Sequence, residues 1–154
     1  MKEVCIYTDG ACSGNPGKGG YGVILSYGRV KKEISKGFKN TTNNRMELMA
    51  AIAGLEALKE RCRVKLYSDS KYLTDAINKG WIASWQKSGW KNAKKEPVKN
   101  RELFEKIIEL TNLHEVEFIW VKGHDGHEEN ERCDFLATSA ADGEDLFIDE
   151  EYIK

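Results

Sequence analysis

The chain has 154 residues, a length typical of one domain, and its 40% apolar and 32% charged residues are typical of a globular protein. No apolar run approaches the roughly 18 residues that cross a bilayer, which excludes membrane-spanning classes and predicts no membrane partner. The formal net charge is only -1, so the chain as a whole does not belong to the strongly basic or acidic classes.

The pattern of apolar residues predicts three strands, followed by helices that alternate with further strands. The predicted strands cover 4–8, 21–27, 31–38, 64–68 and 115–121, and the predicted helices cover 43–60, 70–78, 81–90, 100–112 and 128–141. The glycine-rich stretch 10–20 predicts a loop. This order predicts an α/β domain over 1–141, with a five-stranded mixed sheet of three antiparallel and then parallel strands, flanked by helices. The acidic stretch 142–154 is expected to be a loosely held tail.

Two further features concern the setting and the partners of the chain. Its four cysteines form no C-x-x-C pair, and no secretory signal precedes the first strand, so we expect a reducing, cytoplasmic setting. The charges are segregated: seven basic residues against one acidic residue between Lys79 and Arg101, and eleven acidic against two basic between Asp125 and Lys154. The basic block favours contact with a polyanion, and a solvated helix face is the alternative.

Four carboxylates stand at positions where catalytic groups are expected. Asp9 and Asp69 end apolar strands, Glu47 lies early in a helix of small and apolar residues, and Asp134 lies in the last helix. Each has an ordinary alternative: a turn-initiating Asp9, a capping-box partner of Asn44 for Glu47, a helix cap for Asp69, and plain surface exposure for Asp134.

These four carboxylates would form one ligand site if they met at the strand ends, where ligand sites of α/β folds usually lie. Converging carboxylates repel one another unless a cation lies among them. An all-oxygen donor set suits Mg²⁺, and two such ions about 4 Å apart can activate a water and stabilise the leaving oxygen of a phosphodiester. Sequence spacing alone does not show that the four positions meet.

Five separated segments carry a family resemblance. In chain order they are YTDGACSGNPG at 7–17, TTNNRMELMAA at 41–51, YSDS at 67–70, WVKGH at 120–124 and NERCD at 130–134. Together they resemble type 1 ribonuclease H, and most closely the bacterial enzymes. The similarity runs in order from about residue 4 to residue 141.

The resemblance implies a monomeric, metal-dependent endonuclease with no obligate protein partner. Such an enzyme cuts the RNA strand of an RNA–DNA hybrid by a two-metal-ion mechanism that leaves 5′-phosphate and 3′-hydroxyl ends, with Mg²⁺ as the cofactor and Mn²⁺ as a substitute. Asp9, Glu47, Asp69 and Asp134 fall on the metal-binding catalytic carboxylates of the family. His124 falls on its mobile catalytic histidine, and an ordinary loop histidine is the alternative.

The resemblance also implies a set of substrate-binding residues. Minor-groove contacts are expected from Asn15, Asn43 and Asn44 and, beside them, from Cys12 and Lys71, where an amide is more common than a lysine. A pocket for a phosphate of the DNA strand is expected from Thr42 and Asn100. A basic protrusion that holds the DNA strand is expected from Trp81, Trp85, Trp90, Lys87, Lys91, Lys94 and Lys95. The alternative for the polar residues is capping or turn formation, and we expect at least one tryptophan to be mainly a packing residue.

Three other functions remain open at this point. A catalytically silent hybrid-binding module would not need four carboxylates. The basic protrusion and the Thr-Asn-Asn segment disfavour a different nuclease of the wider superfamily, such as an integrase-like strand-transfer enzyme, and cleavage of hybrid but not of duplex DNA would discriminate. A thiol enzyme built on Cys12 or Cys133 would need a paired histidine, which the motif context does not offer.

Overall fold

The structure is a computed structural model that describes residues 1–123 and 128–152. Within these residues a six-stranded mixed sheet forms the centre of the fold. The elements are β1 (Lys2–Gly14), β2 (Gly17–Tyr27), β3 (Val30–Thr41), α1 (Asn43–Glu56), β4 (Cys62–Ser68), α2 (Lys71–Asn78), α3 (Trp81–Lys87), α4 (Arg101–Leu113), β5 (Glu115–Trp120), α5 (Glu128–Ala141) and β6 (Leu146–Phe147). The strand order in the sheet is β5-β4-β1-β2-β3-β6.

The strand directions confirm the predicted α/β class and the mixed sheet. β1, β2 and β3 form an antiparallel meander, and β4 pairs in parallel with both β1 and β5. The predicted count of five strands is wrong, because β6 pairs in parallel with Gly37 and Phe38 of β3. A two-residue strand is too short to produce a periodic pattern in the sequence.

The glycine-rich stretch 10–20 is strand rather than the predicted loop. β1 continues to Gly14 and β2 begins at Gly17, so only two residues turn the chain. Gly20 serves close packing, since a Cβ atom on it would lie 2.8 Å from the Ala141 nitrogen and 3.1 Å from the Ala140 Cβ of α5. Helix α5 can therefore approach the sheet closely.

Helices cover both faces of the sheet. A Cβ atom on Gly54 of α1 would meet Val23, whereas one on the adjacent Gly22 would meet α5, and successive strand residues point to opposite faces. The core on the α1 side joins strand and helix side chains, among them Ile6, Val23, Leu66, Met46, Leu48, Leu55, Phe104 and Ile107. Both faces are thus packed around the central strand β1.

Several helix ends differ from their predicted positions. α1 is capped by Thr42, whose Oγ1 accepts a hydrogen bond from the Arg45 amide at 3.2 Å, and not by Asn44, the cap that the capping-box alternative for Glu47 requires. α1 ends at Glu56 and α3 at Lys87, each earlier than predicted. Gly89 and Trp90 both have positive φ angles, which a helix cannot include.

The acidic stretch after α5 is not the loosely held tail that was expected. Asp149 is only 3% exposed, and its Oδ2 lies 2.6 Å from the Arg45 Nε and accepts a hydrogen bond from the Thr41 Oγ1 at 2.7 Å. The correction applies to the residues from β6 to Asp149, whereas the domain boundary at residue 141 stays a prediction. None of the helices in the described ranges is long and apolar enough to cross a membrane.

Candidate active site

Three of the four predicted carboxylates meet at one edge of the sheet. Asp9 lies on the central strand β1, Glu47 on α1, and Asp69 directly after β4. One carboxylate oxygen from each lies within 4.8 Å of the others. Asp9 and Glu47 are buried, at 8% and 3% exposed. The fold therefore brings together groups that are separated by up to 60 positions in the chain.

Gly10 holds two of these carboxylates. Its amide donates a hydrogen bond to the Asp9 Oδ1 at 2.9 Å and a second, short one to the Glu47 Oε1. A Cβ atom at position 10 would lie 2.7 Å from the Glu47 nitrogen, so only glycine allows this approach. Neither ordinary alternative is correct, because Asp9 starts no turn within β1 and Glu47 does not cap α1.

Asp69 occupies the junction between β4 and α2. The cap of α2 is Ser70, whose Oγ accepts a hydrogen bond from the Leu73 amide at 3.2 Å, so the capping alternative for Asp69 is wrong. The Trp120 indole Nε1 donates to the Asp69 main-chain oxygen at 3.0 Å. A Cβ atom on Gly123 would lie 2.9 Å from the Asp69 Oδ2, so the chain after β5 passes close to this carboxylate.

The cluster is electrostatically unfavourable without a cation. Burial, and next the charge of Asp69, raise the pKa of Asp9 to about 7, although the hydrogen bonds from Glu47 and Gly10 oppose this rise. Burial, followed by the charges of Asp9 and Asp69, raises the pKa of Glu47 well above its ordinary value. An all-oxygen cluster of this charge, with two of its three carboxylates buried, fits a hard divalent cation such as Mg²⁺.

Asp134, the fourth predicted carboxylate, lines a cavity of about 390 Å³ that is also lined by the other three. It is half-buried on α5, and its negative charge contributes to the raised pKa of Asp9. The same cavity is lined by Asn43, Asn44 and Lys71, three of the predicted substrate-binding residues. His124 lies outside the described residues.

A second cavity of about 470 Å³ contains both predicted residues of the phosphate pocket, Thr42 and Asn100. The Asn100 amide is held on both sides, because its Oδ1 accepts from the Arg45 Nη1 at 3.0 Å and its Nδ2 donates to the Tyr72 hydroxyl at 3.1 Å. Asn44 lines both cavities, so the two are neighbours.

Two other predicted substrate-binding residues lie in the β1–β2 hairpin. The Asn15 Oδ1 accepts a hydrogen bond from the Asn43 amide at 3.1 Å, which ties the hairpin turn to the start of α1. The Cys12 thiol donates to the main-chain oxygen of Thr41 at 3.4 Å. Asn15 thus borders the second cavity, whereas the Cys12 thiol is turned toward the backbone.

The basic segment, residues 79–101, presents its charges to solvent. Lys87, Lys91, Lys94 and Lys95 are all exposed. Trp81 and Trp85 share one face of α3, with ring centroids 6.4 Å apart. Trp90 is only 8% exposed, which confirms that at least one tryptophan is mainly a packing residue.

Sequence reasoning missed four residues that hold the site: Gly10, Arg45, Trp120 and Asp149. Gly10 follows Asp9 directly, and Arg45 lies within the segment 41–51 that also contains Glu47, so each left a weak signal. Trp120 belongs to the WVKGH segment, but nothing in that segment points to its partner Asp69, 51 positions away, and Asp149 left no signal, because Arg45 lies 104 positions away.

The fold and the site define a class: an α/β domain with buried carboxylates suited to a divalent cation, beside a basic, amide-lined surface. The family model described as RNase H matches residues 1–142. The chain therefore belongs to the RNase H family, and the prediction of a ribonuclease H enzyme is confirmed.

Relatives and solved structures agree with this membership. The chain is 59% identical to the Ribonuclease H of Rippkaea orientalis (strain PCC 8801 / RF-1), covering 98% of this chain and 93% of that one. It is 57% identical to the Ribonuclease H of Desulforamulus reducens (strain ATCC BAA-1160 / DSM 100696 / MI-1), covering 97% and 94%.

Two solved structures extend the similarity to three dimensions. LC9-RNase H1, a type 1 RNase H with the type 2 active-site motif, is 34% identical with a TM-score of 0.83, over 92% of this chain and 72% of that one. LC11-RNase H1, solved in complex with an RNA/DNA hybrid, is 26% identical with a TM-score of 0.66, over 90% and 96%.

Proposed function

We propose that this chain is an endonuclease that hydrolyses the RNA strand of RNA–DNA hybrids and requires a divalent cation. The observation that carries the proposal is the cluster of buried Asp9 and Glu47 with half-buried Asp69, which lines a cavity together with the amide side chains of Asn43 and Asn44. The hybrid bound to LC11-RNase H1, a relative of the same fold, supports this substrate.

Asp9, Glu47, Asp69 and Asp134 are the residues that would hold Mg²⁺, with Mn²⁺ as a substitute. Two such ions, when bound, supply an activated water and charge stabilisation at the leaving 3′-oxygen, which gives 5′-phosphate and 3′-hydroxyl ends. The Gly10 amide keeps Asp9 and Glu47 oriented toward one another. Burial of these two side chains limits competing water. His124 is assigned proton handling.

The amides of Asn43 and Asn44 line the same cavity as the carboxylates. They can donate to and accept from the 2′-hydroxyls and base edges that distinguish a hybrid from duplex DNA. Thr42 and Asn100 are assigned a phosphate of the DNA strand, and the exposed lysines of the basic segment supply salt-dependent affinity. The site would thus contact both strands.

The test is cleavage of an end-labelled RNA–DNA hybrid with Mg²⁺, with Mn²⁺ and with chelator. Single-stranded RNA, RNA duplex and DNA duplex serve as controls. We expect that only the RNA strand of the hybrid is cut, and only when a metal is present. The products should carry 5′-phosphates, which a phosphatase can remove. A hybrid that is bound but uncut in both metals would favour the silent binding module. Cutting of DNA duplex would favour the integrase-like alternative.

We also propose that the protein acts as a monomer in the cytoplasm, without an obligate protein partner. All four cysteines are free thiols, as a reducing setting allows. Light scattering of the purified protein across a concentration series tests the monomer, and a mass that rises with concentration would contradict it.

A further inference from the structure

Trp120 places a large ring beside the carboxylate cluster while remaining 43% exposed. It is the last residue of β5, opposite Ser68, where the parallel pairing with β4 ends. Its indole Nε1 donates to the main-chain oxygen of Asp69 at 3.0 Å. The indole thus provides a hydrogen-bond donor for the Asp69 carbonyl, which lies between the end of β4 and the first turn of α2. The same peptide sets the direction of the Asp69 side chain.

The face of the same ring contacts a second residue of the site. The Lys71 Nζ lies 4.8 Å from the centroid of the Trp120 ring, within the range of a cation–π interaction. Lys71 lines the cavity that contains the carboxylates. An ammonium on a long flexible stem is poorly ordered by itself, so an aromatic face beside it narrows the positions that it samples.

We propose that Trp120 is a positioning residue that acts through two separate contacts. Its N–H fixes the Asp69 peptide and so the direction of the carboxylate, and its ring face holds the Lys71 ammonium at the mouth of the cavity for a phosphate of the substrate. The inference rests on the proposed function. Because different atoms of one side chain make the two contacts, substitutions can separate them.

Three variants separate the contacts, and a fourth is the control. Trp120→Phe keeps a ring and removes the N–H, Trp120→Leu removes both, and Lys71→Met removes the cation. The control is Tyr27→Leu, because Tyr27 is an exposed ring at the far end of the sheet that also carries a lysine, with the Lys2 Nζ 5.3 Å from its centroid. It contacts neither cavity, so its loss tests for a general effect of deleting such a pair.

For Trp120→Phe we expect kcat to fall about tenfold with KM nearly unchanged, the scale seen when a group that orients a metal ligand is lost. The affinity for Mg²⁺ without substrate should also weaken about tenfold. It is measured by titrating Mg²⁺ and following the NMR chemical shift of the Gly10 amide. Lys71→Met should raise KM about threefold in the wild-type background and less in Trp120→Leu, since the ring no longer holds the cation there. Tyr27→Leu should change none of these quantities.

Wild-type kcat and Mg²⁺ affinity in Trp120→Phe would overturn the first contact. An equal rise of KM from Lys71→Met in both backgrounds would overturn the second. Changes of the same size in Tyr27→Leu would overturn the positioning role as a whole. Failure of the proposed function gives a different result, namely a wild-type protein that leaves the hybrid uncut, and the Mg²⁺ titration still decides the role of the N–H in that case.

Discussion

Helix α1 carries two buried charged residues, two positions apart, whose surroundings are opposite. Arg45 makes a two-pronged contact with Asp149, through Nε at 2.6 Å and Nη2 at 2.9 Å, and its Nη1 lies 2.6 Å from the Glu102 carboxylate. Glu47 instead faces two further carboxylates, and its hydrogen-bond donor is the Gly10 amide. One charge is compensated within the protein and the other is not.

This difference separates a structural cluster from the proposed catalytic one. Removing one partner of a buried ion pair leaves the other charge uncompensated, which is costly, so the fold depends on the Arg45 cluster staying intact. The carboxylate cluster is electrostatically unfavourable in the metal-free protein, which is why the pKa values of Asp9 and Glu47 are raised. Carboxyl groups with shifted pKa values in a cavity are typical of active sites. Substitutions in the Arg45 cluster should therefore lower the stability of the protein. Substitutions in the carboxylate cluster should abolish cleavage and raise the stability of the metal-free protein.

The largest expected effect is on catalysis by the carboxylate cluster. Asp9→Asn should lower the rate of hybrid cleavage by roughly 1,000-fold or more, the scale reached when a preorganised catalytic group is removed. Hybrid affinity should stay close to wild type, because binding is assigned to other residues. Single-turnover cleavage and filter binding measure the two quantities. Asp142→Asn, at an exposed carboxylate, is the control, and a near-wild-type rate in Asp9→Asn would show that the carboxylate assignment is wrong.

The next effect is on the stability of the Arg45 cluster. Asp149→Ala should reduce the free energy of unfolding by about 3 kcal/mol, because Arg45 loses its main partner while it stays buried. Asp145→Ala, an exposed residue of the same segment, should change it by less than about 0.5 kcal/mol. Urea denaturation of both variants makes the comparison. Equal stability of the two would mean that the ion pair contributes nothing.

A third prediction concerns pH and metal. The pKa of Asp9 is about 7 in the folded protein and 3.8 for an unperturbed group, so the metal-free native state binds more protons than the unfolded state between these values. Its stability should therefore fall as the pH rises through this window. At pH 8 without metal, Asp9→Asn should be more stable than wild type by on the order of 2 kcal/mol, and the gain should vanish near pH 4.

Thermal melts measure this prediction, with and without Mg²⁺. Mg²⁺ should raise the midpoint of the wild-type protein more at pH 8 than at pH 5, because protonated carboxylates do not bind it. A Mg²⁺ effect of the same size at both pH values, or one that persists in Asp9→Asn, would place the cation elsewhere.

The smallest effect is on exposed charges, which belong to neither buried cluster. Neutralising the lysines at 87, 91, 94 and 95 should weaken hybrid binding about tenfold at low salt and less at higher salt, with a smaller slope of log K against log salt. Titrations at several salt concentrations measure this slope. A matched control neutralises exposed lysines that line neither cavity: Lys31, Lys32, Lys59 and Lys65. Equal losses at every salt concentration would contradict an electrostatic role.

The sequence alone determined the class of the fold and the chemistry of the site. Periodicity located most helices and strands, because apolar residues must recur at the spacing of the element that buries them. The motifs around Asp9, Glu47 and Asp69 identified the carboxylates, since the glycines and amides beside them are local neighbours in the chain. These features are encoded within a few residues and can be recognised without knowing the packing.

Only the tertiary structure decided the rest. The glycine-rich stretch that resembles a loop is strand because β1 and β2 pair along it, and Gly20 within it lets α5 pack closely. The acidic tail is anchored because Asp149 meets Arg45 across 104 positions. The contact of Trp120 with Asp69 has the same character. Such contacts join residues whose local sequence contains no sign of the partner, so the partner is defined only when the helices and the sheet have packed.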